Sequence, residues 1–191
     1  MRKMMEMSFK QFLVNEVRKY DYSSLLIELP EELTDNIISW GFDNIPNEDL
    51  FSDPEDPSFG REDDIHITVI YGIHSGNHKE TQELIRDDKK IKCKLGEMIL
   101  FTKNDNFDVL VIKVKSDNSH YLHKKIKNSI ETTQTHAEYI PHVTIAYLKK
   151  NSGKKFVGDK TFDGETFEVN NLIFSSKTGE KRHITLKGKN E

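Results

Sequence analysis

Two segments of the sequence place a histidine and a threonine two residues apart within otherwise apolar runs. The first is IHITVIYG, with His66 and Thr68, and the second is PHVTIAYL, with His142 and Thr144. In a β-strand, residues i and i+2 point to the same face, so each pair shares a face while the residues between them face the other way. If the two strands lie side by side, two imidazoles and two hydroxyls converge on one patch.

Such a set of side chains suits the cleavage of a phosphodiester. A neutral histidine can take a proton from a water or a ribose 2′-hydroxyl, and a protonated histidine can give one to the leaving oxygen, since an ordinary histidine pKa of about 6.5 allows both forms near neutrality. Threonine hydroxyls can donate hydrogen bonds to the phosphate oxygens as negative charge develops. This chemistry needs no metal, and the lone Cys93 argues against a zinc site. We therefore expect a cofactor-free phosphodiesterase.

A third string, KRHITLK, contains His183 and Thr185. It lacks the apolar-apolar-tyrosine triplet that follows the other two motifs, and Lys187 shares its face, so a solvated face of an edge strand is the favoured interpretation. A single strand-borne histidine is more often structural than catalytic. It is the repetition of one context that favours catalysis at the first two motifs. Strict alternation also predicts that Tyr71 and Tyr147 face away from the histidines, into the core.

Hydrophobic periodicity surrounds the motifs with a mixture of strands and helices. The pattern predicts helices at 31–42, 77–88 and 116–131, and strands at 23–29, 65–72, 90–102, 107–114, 139–148, 167–176 and 181–187. Two hairpins and the mixed order favour an α+β fold with a mainly antiparallel sheet over a doubly wound parallel fold. His66 and His142 are 76 positions apart and have similar surroundings, which indicates a pseudo-repeat.

The paired motifs resemble the signature of the 2H phosphoesterase superfamily, which contains the 2′-5′ RNA ligase-like proteins and cyclic phosphodiesterases. That signature is histidine, apolar, threonine or serine, apolar, given twice, often with a proline before the second histidine, where this chain has Pro141. The resemblance implies two pseudo-symmetric lobes of antiparallel sheet with outer helices around a central groove. It also implies a catalytic set made of His66, Thr68, His142 and Thr144.

The segments GREDDIHITVIYGI and LGEMILFTKNDNFDVLVIKV are similar to phage-encoded members, including anti-CBASS nucleases that degrade the cyclic oligonucleotide messengers of bacterial immunity. This finer resemblance implies a cyclic di- or oligonucleotide substrate. Two alternatives stay open from the residues: a 2′,3′-cyclic-phosphate or RNA 3′-end phosphodiesterase, and a non-catalytic RNA-binding module that keeps the groove. Phe101 and Tyr139 are the best-placed aromatic side chains to bind the substrate by stacking on a base.

Charge and hydrophobicity along the chain indicate which partners and which domain organisation to expect. The net charge is −4, and residues 43–64 hold nine acids with one base, so a long nucleic acid is not expected as a partner. We expect a helical extension at 1–21 followed by one domain of two lobes at 22–191. The sequence has no apolar run of membrane-spanning length, which predicts a cytoplasmic protein without a membrane partner, acting in the host cytoplasm if the chain is phage-encoded. We also expect a monomer.

Overall fold

The computed structural model describes residues 20–134 and 138–188. The helix predicted for residues 1–21 lies outside the described residues, except for its last two positions. The described residues form eight strands and three α-helices. The helices are α1 (Glu31–Asn44), α2 (His78–Ile85) and α3 (Asp117–Ser129), with short 3₁₀ helices at Asn47–Asp49 and Ser152–Phe156. The strands are β1 (Ser23–Glu28), β2 (His66–Ile73), β3 (Ile91–Phe101), β4 (Phe107–Lys115), β5 (His142–Lys149), β6 (Thr166–Val169), β7 (Asn171–Ser175) and β8 (Lys181–Thr185).

Local sequence explains where the helices begin. The side chain of Asn77 accepts a hydrogen bond from the Lys79 amide at the start of α2, and Ser116 accepts one from the Ser119 amide at the start of α3. Each side chain satisfies an amide that has no partner within its helix. The two caps fix the N-terminal ends of the helices that follow β2 and β4.

The strands of the described residues form one sheet in the order β6-β3-β4-β5-β2-β1-β7-β8, and every neighbouring pair is antiparallel. Its two halves are pseudo-symmetric. Lobe one consists of β2, β1, β7 and β8, and lobe two consists of β5, β4, β3 and β6, so that a motif strand is innermost in each. This arrangement confirms the α+β fold with two pseudo-symmetric lobes, which are joined into a single curled sheet.

The core lies on one face of this sheet. Strand residues such as Ile67 and Val143 are fully buried there together with Ile37 of α1 and with Leu122 and Ile126 of α3. The helices therefore cover the face that is opposite to the histidines. The other face, which carries His66 and His142, forms the concave surface that we call the central groove.

One predicted strand was wrong. The run at 167–176 is two strands, β6 and β7, which pair with β3 at one end of the sheet and with β1 near the other end. Only Asn170 separates them, and one residue spans at most about 7 Å between its neighbours, so the two ends of the sheet come together here. The residues on both sides favour strands equally, and the break is set by distant pairing partners, which local propensity does not encode.

Candidate active site

The two motif strands meet at one residue pair, Ile67 of β2 and Val143 of β5. Continuing this antiparallel register places His66 across from Thr144 and Thr68 across from His142. Side chains at directly opposed positions are about 5 Å apart, and diagonal neighbours are about 7–8 Å apart. All four motif side chains are half-buried, while the residues between them are buried. The structure thus brings the predicted residues together on one face.

Both histidines make the same hydrogen bond to the backbone. The Nδ1 of His66 donates to the carbonyl of Asp64 at 2.5 Å, and the Nδ1 of His142 donates to the carbonyl of Ile140 at 2.7 Å. Because a carbonyl can only accept, Nδ1 carries the hydrogen, and in the neutral ring the titratable lone pair lies on Nε2. Each ring is therefore oriented to exchange a proton through Nε2.

Each motif strand contains a β-bulge three residues after its histidine. On β2 the extra residue is Val69, because Thr68 and Ile70 on either side of it pair with adjacent residues of β1. On β5 the extra residue is Ile145, whose neighbours pair with adjacent residues of β4. One extra residue reverses the alternation of faces beyond it. The prediction that Tyr71 and Tyr147 face the core was therefore wrong, since both lie on the groove face and are half-buried.

Beyond the junction, each motif strand pairs with the segment that precedes the other motif. The amide of Thr133 donates to the carbonyl of Gly72 on β2 at 2.8 Å, and the amide of Tyr147 on β5 donates to the carbonyl of Gly60 at 2.8 Å. The strands of the two motifs therefore diverge on leaving the junction. This divergence widens the groove on both sides of the histidines.

The acidic segment before motif one is tied to the rest of the fold by Arg61. Its guanidinium donates to the carbonyl of Gly41 at 3.0 Å, to the side-chain oxygen of Asn47 at 2.8 Å and to the carbonyl of Ile45. The amide of Phe51 also donates to the carbonyl of Tyr147 on β5. The long loop predicted at 43–64 is thus held along the edge of β5, beside the second motif.

The two predicted substrate-binding residues lie in different surroundings. The ring of Phe101 packs edge-on against His142, with ring centroids 4.8 Å apart. The ring of Tyr139 stacks on His123 at 4.2 Å with an interplanar angle of 3°, and its hydroxyl is hydrogen-bonded to Ser119. Burial raises the pKa of the Tyr139 phenol and lowers the pKa of the His123 imidazole. Phe101 borders the motif residues, whereas one ring face of Tyr139 is covered by α3.

Aromatic clusters that the sequence analysis missed flank the groove. Tyr147 contacts Phe59 at 5.1 Å and Phe107 at 5.7 Å, while Tyr71 contacts Tyr22 at 5.7 Å. Burial raises the pKa of both motif-strand tyrosines, Tyr71 and Tyr147. Phe59 belongs to the acidic segment, and its contact with β5 depends on how that segment folds, so no pattern in the sequence signals it.

A carboxyl group, that of Glu62, also lies beside the motif residues and was not predicted. Burial raises the pKa of Glu62, and the nearby His66 opposes that effect by favouring the carboxylate. Its Oε1 accepts hydrogen bonds from the amides of Asp63 and Asp64 at 3.2 and 3.1 Å. Glu62 lies in a run of acidic and turn residues, so no pattern in the sequence signals its place beside the first histidine.

The third string lies apart from the other two. His183 is exposed on the edge strand β8, and Ile184 beside it is buried, as predicted. Across the sheet, His183 is opposite Ile173 of β7, which is opposite Leu26 of β1, which is opposite Thr68 of β2. His183 therefore shares the groove face with Thr68 but lies three strands away from it, or about 14 Å. It does not join the cluster around the junction.

The part of the chain that the structure describes contains neither a cluster of metal ligands nor a membrane-spanning helix. No group of three or more histidine, cysteine, aspartate or glutamate side chains in residues 20–134 and 138–188 could hold a metal ion. Cys93 is buried, and burial raises the pKa of its thiol. No helix in the same residues is long and apolar enough to cross a membrane.

Comparison with solved structures identifies the fold. TT0787 of Thermus thermophilus superimposes with a TM-score of 0.62 at 13% identity, over 88% of this chain and 100% of that one. Escherichia coli LigT complexed with 3′-AMP superimposes with a TM-score of 0.61 at 15% identity, over 87% and 95%. A third structure, described as a phosphoesterase, gives 0.54 at 17% identity, over 87% and 96%. These likenesses establish a shared fold.

Comparison with family models identifies the family. No curated protein sequence matches this chain. The model of the family described as anti-CBASS protein Acb1 matches residues 57–178, which include both His-x-Thr motifs, the hairpin of β3 and β4, and β7. By this match, which covers well over half of its length, the chain belongs to the anti-CBASS protein Acb1 family.

Proposed function

We propose that this protein is a metal-independent phosphodiesterase that cleaves ribonucleotide phosphodiesters by acid and base catalysis from two histidines. The observation that supports this most strongly is the repeated geometry at the junction. Two imidazoles with the same Nδ1 hydrogen bond to the backbone flank the pair Ile67 and Val143, each opposite the threonine of the other motif. Histidines that only stabilised the fold would not need to be arranged twice in the same geometry around one point of the sheet.

The proposed reaction uses the four motif residues in two roles. The Nε2 of one neutral histidine takes a proton from the nucleophile, a ribose 2′-hydroxyl or a water, as its oxygen bonds to phosphorus. The bond from phosphorus to the leaving oxygen breaks, and the other histidine, protonated on Nε2, gives its proton to that oxygen. The hydroxyls of Thr68 and Thr144 donate hydrogen bonds to the non-bridging oxygens, where negative charge increases.

Cyclic di- or oligonucleotide signals are the leading substrate class. Membership of the anti-CBASS family supports this class. LigT, which has the same fold, has been crystallised in complex with 3′-AMP. The groove is bordered by Phe101 at one histidine and by tyrosines of both motif strands, which can stack on bases. The acidic segment that precedes motif one would repel a long anionic strand laid along β5 more strongly than a compact ligand of lower charge. Residues 22–191 would act as one catalytic domain.

The experiment that tests this proposal is incubation with a substrate panel in the presence of EDTA. The panel contains cyclic dinucleotides, cyclic trinucleotides, 2′,3′-cyclic mononucleotides and 2′-5′ oligoadenylate, with the products identified by mass spectrometry. We expect cleavage of at least one cyclic di- or trinucleotide. Selective cleavage of the 2′,3′-cyclic mononucleotides would instead support an RNA-end phosphodiesterase, and binding of RNA without any turnover would support a non-catalytic module.

A further inference from the structure

Three lysines lie on the groove face of lobe two, beside the second histidine. Lys113 of β4 is the direct cross-strand partner of His142. Lys115 is two residues further along β4, and its direct cross-strand partner is Lys94 of β3. Val114, between the two β4 lysines, is buried in the core, so alternation places those lysines on the groove face, and opposed residues share a face. We call Lys94, Lys113 and Lys115 the lysine strip.

The charge of the strip is balanced at one end only. The ammonium of Lys113 is paired with Glu97 of β3 at 2.9 Å. Lys94 and Lys115 are exposed, and no carboxylate of the described residues forms an ion pair with either of them. Like charges at directly opposed positions destabilise a sheet. An anion bound between these two lysines would therefore remove an unfavourable interaction.

A hydroxyl extends the row of donors across the sheet. Thr166 of β6 is exposed and is the direct cross-strand partner of Lys94 on its other side. Two ammonium groups and one hydroxyl thus form a row across β4, β3 and β6. Ammonium and hydroxyl groups donate hydrogen bonds to phosphate oxygens, and the long flexible stem of lysine lets its charge follow a ligand. The row is suited to a phosphate group.

The next row along β3 provides an internal comparison. Lys92 has the same orientation as Lys94, but its cross-strand partner on β6 is Glu168. The ammonium of Lys92 lies 3.6 Å from that carboxylate, and the ammonium of Lys90 lies 3.3 Å from it. The lysines of this row are thus matched by a carboxylate, whereas the outer pair of the strip is not.

The strip lies within reach of a ligand that is bound at the catalytic histidines. His142 and Lys113 occupy directly opposed positions, which places their Cβ atoms about 5 Å apart. His142 and Lys115 are diagonal neighbours, at about 7–8 Å. A ligand with one phosphate beside His142 can therefore bring a second phosphate to the outer lysines.

Lobe one carries the opposite charge at the matching position. Glu28 of β1 is the direct cross-strand partner of His66, as Lys113 is of His142. The pseudo-two-fold symmetry of the backbone is therefore broken by charge on the two sides of the histidines. A ligand with several phosphates is attracted to the side of lobe two and repelled from the side of Glu28.

We propose that the lysine strip is a second phosphate-binding subsite, which holds a phosphate of the substrate that is not being cleaved. This inference rests on the proposed function and names the part of the substrate that lobe two binds. A cyclic dinucleotide with one phosphate between the histidines carries its other phosphate over lobe two, where Lys94 and Lys115 bind it. A 2′,3′-cyclic mononucleotide has a single phosphate and does not contact this pair.

A double variant, Lys94→Met with Lys115→Met, tests the subsite by kinetics. We expect KM for a cyclic dinucleotide to rise about fivefold or more with kcat nearly unchanged, because contacts to a non-reacting phosphate are equal in the ground state and the transition state. KM for the 2′,3′-cyclic mononucleotide should stay within about twofold. Replacing both lysines by arginine, which keeps the charge, should retain a low KM for the dinucleotide. An unchanged dinucleotide KM, or an equal rise for both substrates, overturns the subsite.

The matched control combines Lys92→Met with Lys124→Met, which removes the same charge. Lys92 shares the face of the strip but is paired with Glu168, and Lys124 is exposed on α3, on the opposite face of the sheet. We expect this control to keep KM for the dinucleotide within about twofold. A rise as large as that of the strip variant would show a general effect of net charge and overturn the subsite. The Tm of the strip variant should not fall, because a repulsion between like charges has been removed.

Binding in a background that does not turn over the ligand separates this inference from the proposed function. Isothermal titration calorimetry on His66→Ala compares each cyclic dinucleotide of the substrate panel with the 2′,3′-cyclic mononucleotide of the same base. We expect the strip substitutions to raise Kd for the dinucleotide about fivefold or more at low salt, and less at high salt. An unchanged Kd, or no detectable binding of any dinucleotide, overturns the subsite. Absence of turnover by the intact protein overturns the proposed catalysis, while the Kd values still decide whether the strip binds the second phosphate.

Discussion

Ile67 faces Val143 across the junction of the two lobes, and the four motif side chains flank this pair on the opposite face of the sheet. A pseudo-two-fold axis passes through this point. The same backbone positions therefore occur twice around this point, with the two histidines on a diagonal of the ladder.

The two histidines at this junction should be far more important for activity than the third. We expect His66→Ala and His142→Ala each to lower kcat by about 10²–10⁴-fold, the usual contribution of one acid or base. His183→Ala on β8 is the matched control and should stay within a few-fold of the intact protein. Steady-state kinetics on the best substrate checks the ranking, and a loss at His183 as large as that at His142 would show that β8 belongs to the site.

The threonine hydroxyls should act in the transition state more than in substrate binding. Thr68→Val and Thr144→Val keep the shape of the side chain but remove the hydrogen-bond donor. We expect kcat to fall by about 10²-fold in each variant with little change in KM, as when one donor to a developing anion is lost. Thr185→Val serves as the control on β8. An increase in KM at constant kcat would assign these hydroxyls to ground-state binding.

Activity should survive removal of divalent ions. In the proposed reaction both protons are carried by imidazoles whose Nδ1 atoms are bonded to backbone carbonyls, so catalysis does not pass through a metal. We expect kcat/KM after dialysis against EDTA to remain within about twofold of the untreated value. Loss of activity that is restored by adding a divalent ion would refute the two-histidine mechanism.

Neutralising Glu62 should raise the stability of the protein at neutral pH. Burial raises the pKa of this carboxyl in the folded protein, so the folded state binds a proton more tightly than the unfolded state, and stability is lost as the pH rises through the folded pKa. Glu62→Gln removes that loss, and its amide oxygen can still accept the hydrogen bond from Asp64. We expect a higher Tm than that of the intact protein at pH 7 and equal Tm values below the carboxyl's ordinary pKa of about 4.3. A lower Tm at pH 7 would show that the carboxylate is needed for folding.

Gly72, which ends the motif VIYG, should tolerate no side chain. Its φ is 112°, and a Cβ placed there would lie 2.0 Å from the carbonyl oxygen of Thr133. Gly60 has a similar φ of 103° but open space around it. We expect Gly60→Ala to cost about 1–2 kcal/mol for the backbone conformation, and Gly72→Ala to cost roughly 3 kcal/mol or more because the overlap adds to it. Denaturant unfolding of the two variants measures the difference, and equal costs would contradict it.

The parts of the site that sequence could predict are those that depend on local alternation. Strand period alone paired His66 with Thr68 and His142 with Thr144, because residues two apart share a face in any strand. Tyr71 and Tyr147 were placed on the wrong face because a bulge at Val69 or Ile145 is defined by the partner strand. The alternation of residues along a single strand therefore does not reveal where a bulge occurs.

The parts of the site that sequence could not predict come from segments without periodicity. Phe59 and Glu62 belong to a run of acidic and turn residues, and their places beside β5 and His66 are set by hydrogen bonds such as those of Arg61 to Asn47 and Gly41. Such contacts join residues that are far apart in the chain, so they depend on the finished fold. The same holds for the division of 167–176 at Asn170.

The position of Asn170 also bears on how the protein is made. Lobe two is built from one continuous stretch, residues 91–169, whereas lobe one combines β1 and β2 with β7 and β8, which are translated after that stretch. On a ribosome, lobe two can close as soon as β6 has emerged, while β1 and β2 must wait for strands more than ninety residues downstream. During that wait, the apolar outer edge of β1 is exposed to other nascent chains. The first histidine is therefore carried on the half of the molecule whose sheet is completed later.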